Sequence, residues 1–140
     1  MPSSHNPKRI GERAECAFLW QAYEHGLLVS QPFGDSAPYD FIVDNRGPGR
    51  SGIWRIQVKC STRLNHSGYK ISAHHLYHQP YHPDEVDFFA AWIVPLDLWY
   101  IIPVAKVHPR RNVALYPHVE GSCGKYEPYR EAWHLLVSGL

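Results

Sequence analysis

Three side chains of complementary chemistry lie on two predicted strands: the carboxyl group of Asp40, the amide of Gln57 and the ammonium group of Lys59. Hard divalent cations prefer oxygen ligands, and the carboxylate and the amide each supply one. A lysine close to such a cation can orient and acidify a water molecule, or stabilise an oxyanion. These residue types therefore predict a cation-assisted reactive site, provided that the fold brings them together.

The elements that must position these groups are two strands joined by a turn-rich loop. Residues 39–44 (YDFIVD) and 53–60 (IWRIQVKC) have strand character, and the segment NRGPGRSG between them has the composition of a hairpin loop. Successive side chains of a strand point to opposite faces, so Gln57 and Lys59 share one face of the second strand. We predict that this face is polar and that the other belongs to the core.

The position of the loop fixes the register in which these strands pair. If the loop is centred between Pro48 and Gly49, an antiparallel pair places Asp40 opposite Gln57, with their Cβ atoms about 5 Å apart. Lys59 then follows two residues along the same face. A slip of one residue would send Gln57 and Lys59 to the face opposite Asp40, so the register decides whether the site exists.

A fourth candidate group is a carboxylate on the helix predicted at residues 9–25, which Gly26 terminates. Glu12 lies at the end of a mostly apolar helix face, where a carboxylate needs a partner. Glu15 lies about one turn further on and is the alternative, although it also suits a solvated surface position. The residue pattern alone leaves both glutamates open.

The remaining segments complete a single α/β domain over residues 1–140, with a mixed central β-sheet flanked by α-helices. We predict strands at 27–31, 69–72, 87–95 and 98–104, a loop rich in histidine and tyrosine at 73–83, and a C-terminal helix at 129–137. The runs at 87–95 and 98–104 are almost continuously apolar, which is typical of strands covered on both faces.

The positive charge of the chain is concentrated in one segment. Residues 45–83 contain no carboxylate, whereas acidic residues outnumber basic ones in the rest of the chain. A basic face of this kind suits the binding of phosphates, and an ordinary solvated surface is the alternative. The candidate nucleic-acid contacts are Arg46, Arg50, Arg55, Arg63 and Lys70.

Three other patterns narrow the class of protein. The 3 cysteines are odd in number and lack CxxC spacing, which argues against a disulfide scaffold and favours a cytoplasmic location. The apolar stretch 88–105 contains an aspartate and two prolines, so we expect no membrane association. His74, His78 and His82 are spaced by four, but Pro80 interrupts any helix, which favours a loop over a transition-metal site.

In chain order, Gly11-Glu12, Pro38-Tyr39-Asp40 and Gln57-Val58-Lys59 resemble the motif of the PD-(D/E)XK nuclease superfamily. More narrowly, GDSAPYDFIVD followed by RIQVKCS resembles the branch that includes cyanobacterial group I intron homing endonucleases, in which glutamine replaces the second acidic residue. The resemblance covers most of residues 8–104. Each motif alone is weakly specific, but the ordered set at these spacings is much more so.

This resemblance implies a restriction-endonuclease-like fold and a magnesium-dependent DNA endonuclease, with Mn²⁺ as a possible substitute. It also implies which residues are catalytic and which bind the metal. Three side chains belong to both groups, and the backbone carbonyl of Val58 is a further metal ligand. Glu12 is favoured over Glu15 because the family's helix residue falls on the Gly-Glu pair. The implied catalytic residues are Glu12, Asp40, Gln57 and Lys59, and the implied metal ligands are Asp40, Gln57, Val58 and Glu12.

Two consequences for assembly and function follow from the implied activity. Cleavage of a duplex needs two strand cuts, so we expect a homo-oligomer, either a dimer or a tetramer. Two alternatives remain at the level of the sequence: a nucleic-acid-binding domain of the same fold that does not cleave, and a subunit whose aromatic-rich surface serves protein assembly.

Overall fold

The computed structural model describes residues 6–46, 52–121 and 124–138. Short 3₁₀ turns link several of its helices and strands. In chain order the helices and strands are α1 (Pro7–Glu24), β1 (Leu28–Ser30), β2 (Phe41–Asp44), β3 (Ile53–Ser61), β4 (Tyr69–Ser72), β5 (Phe88–Ile93), β6 (Leu98–Pro103), β7 (Asn112–Leu115) and α2 (His134–Ser138).

Five of the strands form one mixed sheet in the order β1-β2-β3-β5-β6. The β3–β5 pair is parallel, and the other neighbouring pairs are antiparallel. The chain therefore leaves β3, forms the β4 segment and the following loop, and returns beside β3 as β5. The predicted mixed α/β architecture is confirmed, and it makes β3 the strand that joins the antiparallel hairpin to the rest of the sheet.

The register of the β2–β3 hairpin agrees with the prediction. Phe41 pairs with Ile56, and the same register extends one residue back to place Asp40 opposite Gln57. The backbone N–H of Asp40 donates to the carbonyl of Ile56 at 2.8 Å. The predicted centre of the loop falls in residues 47–51, which lie outside the described part of the chain.

Helix α1 begins at Pro7, where proline costs no hydrogen bond because the first N–H groups of a helix have no partner within it. Asn6 caps the helix, accepting a hydrogen bond from the backbone of Lys8 at 3.0 Å. Gly26 follows the helix with a φ of +69°, a conformation that glycine adopts without strain. The helix predicted at 9–25 is thus confirmed, with its start two residues earlier.

The two faces of the sheet are covered by different layers. Helices α1 and α2 pack on one face through a cluster that includes Phe18 and Leu136. The other face is covered by a two-stranded ribbon of β4 and β7, whose buried residues join a second cluster around Phe89 and Ile102. Every residue of β5 is buried, as the apolar run predicted. The ribbon itself was not predicted, because no sequence pattern indicates a partner for β4 or a strand at β7.

The predicted C-terminal helix at 129–137 is wrong over its first half, since α2 contains only His134–Ser138. The preceding residues are held by contacts with β6 instead. Glu131 has a positive φ of 49°, and its backbone N–H donates to the Trp99 carbonyl at 2.7 Å. Its carboxylate accepts from the backbone N–H of Trp99 and from the indole of Trp133. These tertiary hydrogen bonds outweigh the helical propensity of the segment.

Candidate active site

Asp40 stands immediately before β2, at the end of the hairpin opposite its loop. One carboxylate oxygen, Oδ2, accepts a hydrogen bond of 2.8 Å from the backbone N–H of Val58. Burial raises the pKa of Asp40, and this effect outweighs the opposing influence of the Val58 N–H and of the Lys59 charge. The side chain is thus anchored through one oxygen, which leaves Oδ1 available to another partner.

Gln57 and Lys59 lie on the same face of β3 as Asp40, in agreement with the predicted register. The Nζ atom of Lys59 lies 5.1 Å from the centroid of the Tyr81 ring, within the range of a cation–π contact. Burial lowers the pKa of Lys59, while the negative charge of Asp40 acts in the opposite direction. The ammonium group is therefore partly desolvated and held between an aromatic face and an acid.

The helix carboxylate that lines the same cavity as Asp40 is Glu15. Burial, followed by the negative charge of Asp40, raises the pKa of Glu15. Glu12 is exposed and acts on Glu15 only through its charge. Glu15, the alternative that the residue pattern left open, is thus the glutamate that lies beside the β2–β3 hairpin. A role for Glu12 stays a prediction.

Two cavities meet at Asp40. One, of about 210 Å³, is lined by Glu15 and by the loop that precedes β2. The other, of about 350 Å³, lies on the side of Gln57 and is lined by Tyr81 and Glu85 among others. The sequence predicted Tyr81 only as part of the loop at 73–83 and gave no indication of Glu85. Neither falls in the motif, and only the approach of the 73–86 segment to β3 brings them to the site.

The oxygen donors around Asp40 fit a hard divalent cation. Glu15 and Asp40 supply two carboxyl groups, and Gln57 an amide oxygen. The N–H and the carbonyl of one strand residue point to the same edge of the strand. Because the N–H of Val58 faces Asp40, the carbonyl of Val58 faces that edge of β3 too, beyond the end of β2. Among the described residues, no group of three or more histidine, cysteine or acidic side chains is arranged to hold a metal ion. An ion here would therefore depend on the neutral oxygens as well.

Comparison with known proteins agrees with this geometry. The sequence model of the family described as PD-(D/E)XK endonuclease matches residues 5–136. The chain belongs to the PD-(D/E)XK endonuclease family. Among solved structures, a bacterial homing endonuclease, I-Ssp6803I, is similar at a TM-score of 0.77 and 26% sequence identity, with 94% of this chain and 91% of that chain covered. No curated protein matches the sequence significantly.

Within this PD-(D/E)XK fold, two of the predicted nucleic-acid contacts have partners in the protein. Arg46 forms a 2.9 Å ion pair with Asp44 on the exposed end of β2. Arg55 forms a bidentate pair with Asp87, with Nε to Oδ2 at 2.9 Å and Nη2 to Oδ1 at 3.0 Å. Its position at the start of β3 therefore fastens that strand to the segment entering β5.

The other three predicted contacts differ in what the structure describes. Arg63 and Lys70 line a cavity of about 230 Å³ that begins at Cys60, immediately after Lys59. Both side chains are exposed, and neither forms an ion pair with a described residue. Arg50 lies outside the described residues. None of the helices in the described ranges is long and apolar enough to span a membrane.

Proposed function

We propose that the protein is a divalent-metal-dependent DNA endonuclease that hydrolyses phosphodiester bonds. The observation that carries the proposal is the convergence of Asp40, Gln57 and Lys59 on one face of the β2–β3 hairpin, with the Asp40 carboxylate anchored by the Val58 N–H. Membership of the PD-(D/E)XK endonuclease family supports the same activity. The structural neighbour I-Ssp6803I, a homing endonuclease, supports DNA as the substrate class.

The metal-binding residues in this proposal are Asp40, Gln57 and the carbonyl of Val58, with a helix glutamate as the fourth group. Mg²⁺ is the proposed ion and Mn²⁺ its substitute; when bound, the ion neutralises charge that develops on the phosphate and the leaving oxygen. The cavity that Glu15 shares with Asp40 favours Glu15 for the helix position. Two carboxyl groups on one cavity repel each other when both ionise, and a cation between them would remove that repulsion.

Lys59 orients the attacking water and stabilises the negative charge of the transition state in this mechanism. Its ammonium group is held beside Asp40 and against the Tyr81 ring. Because burial lowers the pKa of Lys59, its proton is more easily released than that of an exposed lysine. The group thus suits either donation of a hydrogen bond to the phosphate or exchange of a proton with the water.

Cleavage of supercoiled plasmid tests this proposal. With Mg²⁺ we expect the wild-type protein to nick or linearise the plasmid, and Asp40→Asn and Lys59→Met each to lower the rate by about 10²–10⁴-fold. Asp84→Asn and Lys106→Met are matched controls, since they make the same chemical changes at exposed positions that line neither cavity at Asp40, and they should keep the wild-type rate.

The outcomes separate the proposal from its alternatives. Activity that survives in Asp40→Asn and Lys59→Met would come from a contaminant or from another site. Wild-type protein that binds duplex DNA but fails to cleave it with either Mg²⁺ or Mn²⁺ would be a nucleic-acid-binding domain. Absence of any salt-dependent DNA binding would favour an assembly subunit.

A homo-oligomer is part of the proposal, because one active site cuts one strand at a time. Light scattering of the purified chain should give the mass of a dimer or a tetramer, or do so once duplex DNA is added. A monomeric mass under both conditions, together with double-strand cleavage, would contradict this part alone.

A further inference from the structure

The outer face of the β4–β7 ribbon carries a basic cavity that the activity proposed above does not use. Tyr69 and Ile71 of β4 point into the core, so Lys70 between them points outward, and its partner on β7 is Ala114. A cavity of about 240 Å³ opens beside this pair. Its charged lining residues are Lys70, Arg110 and Lys125.

The positive charge of this cavity is not balanced by any described residue that lines it. Its described lining residues include three cations and no acid. None of Lys70, Arg110 and Lys125 forms an ion pair with a described residue. Three positive charges around one concave surface repel one another, and an anion bound between them would relieve this repulsion.

Tyr126 provides a second, independent observation at the same cavity. The residue is 5% exposed, and its hydroxyl is buried without a hydrogen-bond partner among the described residues. A buried hydroxyl of this kind costs free energy unless a partner reaches it. Arg110 and Lys125 line the same cavity as Tyr126, the charge of Arg110 lowers the pKa of Tyr126 against the effect of burial, and the Lys125 ammonium lies 5.5 Å from the ring centroid. The residue with the unsatisfied hydroxyl and two of the three cations thus share one cavity.

The ribbon cavity adjoins a second cavity through Lys70. This residue lines both the ribbon cavity and the neighbouring cavity of about 230 Å³ that contains Arg63 and starts at Cys60. Cations that form no ion pair with a described residue therefore extend from Arg63, near the end of β3, to the outer face of the ribbon. By contrast, Arg46 and Arg55 are paired with Asp44 and Asp87.

We propose that the outer face of the β4–β7 ribbon binds backbone phosphates of the nucleic acid, with Lys70, Arg110 and Lys125 around one phosphate site. This inference rests on the proposed function, since it names the surface along which the substrate extends from the active site. Arg110 and Lys125 lie outside the basic segment 45–83, so sequence charge alone does not indicate them.

The test is the salt dependence of binding to a duplex oligonucleotide of arbitrary sequence, measured in EDTA so that no hydrolysis consumes the probe. The double variant R110Q/K125Q removes one arginine and one lysine from the cavity. The control K106Q/R111Q removes the same charges from exposed positions that do not line it. Each lost phosphate contact lowers the slope of log K against log salt by about 1, so we expect a loss of about 2 in R110Q/K125Q and none in the control.

A charge-preserving variant, R110K/K125R, should keep the wild-type slope, which separates loss of charge from local damage. Equal slopes for wild type, R110Q/K125Q and the control would overturn the proposal. A second result would also overturn the proposal: R110Q/K125Q binds duplex DNA as the wild type does but, unlike the control, no longer binds phosphatidylserine vesicles. The cavity would then bind a membrane surface. Failure of the proposed function would be seen in a different measurement. The wild-type protein would bind duplex DNA with the expected slope but would not cleave plasmid with Mg²⁺.

Discussion

Asp40 and Glu15 are two carboxyl groups that line one cavity, and burial raises the pKa of each. At the scale of single residues, this shared cavity distinguishes Glu15 from Glu12. We predict that Glu15→Gln lowers the rate of plasmid cleavage by about a hundredfold, because the proposed ion loses a carboxylate ligand. Glu12→Gln, the matched control on the same helix, should stay within about twofold. The reverse ranking in a nicking assay would return the role to Glu12.

The raised pKa of Asp40 also makes stability depend on pH. Between the pKa of the unfolded chain and the higher pKa of the fold, the folded protein binds more protons, so stability falls as pH rises through this window. Asp40→Asn remains neutral and can still accept from the Val58 N–H. We therefore expect Asp40→Asn to melt about 3 °C above wild type at pH 8 in EDTA. Thermal melts should show the gap closing toward acid pH, and a gap that widens in acid would contradict the prediction.

Gln57 sets the charge of the proposed metal site. Its amide oxygen is neutral, so the ligand set carries one negative charge fewer than a set with a carboxylate at this position. We predict that Gln57→Glu binds Mg²⁺ or Mn²⁺ roughly tenfold more tightly in the absence of DNA, as measured by calorimetry. Glu85→Gln changes the charge of another residue that lines the same cavity, so it serves as a control for the effect of cavity charge on metal affinity. Equal affinity in Gln57→Glu and wild type would show that this side chain is no ligand.

Whether the sequence predicts a site residue depends on which element of the fold carries that residue. Asp40, Gln57 and Lys59 were predictable because a period of two along β3 and a single loop centre determine which side chains face each other. Glu15 and Tyr81 were not resolved, since each reaches the site through the packing of a distant element on the hairpin. Local patterns contain no information on the angle at which α1 or the 73–86 segment approaches β3.

At the scale of elements, Arg55 joins β3 to the segment that leads into β5. The guanidinium pairs with both oxygens of Asp87 and donates to the carbonyls of Pro83 and Asp84, and the backbone N–H of Arg55 donates to Asp87 Oδ2 at 2.7 Å. The sequence predicted this arginine as a nucleic-acid contact, and its partners in the fold favour a structural role.

We predict that Arg55→Gln lowers the free energy of unfolding by about 2 kcal/mol, because several charge-assisted hydrogen bonds are lost and Asp87 is left without its partner. Urea denaturation measures this change. Arg63→Gln is the control, since Arg63 is exposed and unpaired among described residues, and it should leave stability unchanged while weakening DNA binding. Equal stability of both variants would indicate that the strand is held by the sheet alone.

The elements that sequence patterns predicted best are those determined by neighbouring residues. The β2–β3 hairpin, α1 and the buried strands have local signals in alternation, capping or continuous hydrophobicity. The ribbon strand β7 is only Asn112–Leu115 and is stabilised by pairing with β4, which is distant in the chain. The segment before α2 has helical composition, but its hydrogen bonds go to Trp99 on β6. Long-range partners decide both cases.

At the scale of the whole molecule, two hydrophobic clusters lie on opposite faces of one sheet, and the candidate site lies where both approach the β2–β3 hairpin. Val58 belongs to the cluster on the helix side, while Tyr81, which contacts Lys59, belongs to the cluster on the ribbon side. Size and composition predicted one domain. They did not predict that different layers would supply opposite walls of the site.

Strand β3 is hydrogen-bonded to β2 on one edge and to β5 on the other, and the backbone N–H groups of Gln57 and Lys59 face β5 because that of Val58 faces Asp40. Deuterium exchange at these two amides should therefore require global unfolding, whereas the outermost strand β1 should exchange far sooner. Fast exchange at Gln57 and Lys59 in an otherwise protected sheet would contradict this. If it holds, Gln57 and Lys59 keep their places in the sheet until the whole chain melts, and loss of the proposed cleavage on heating should track that melting.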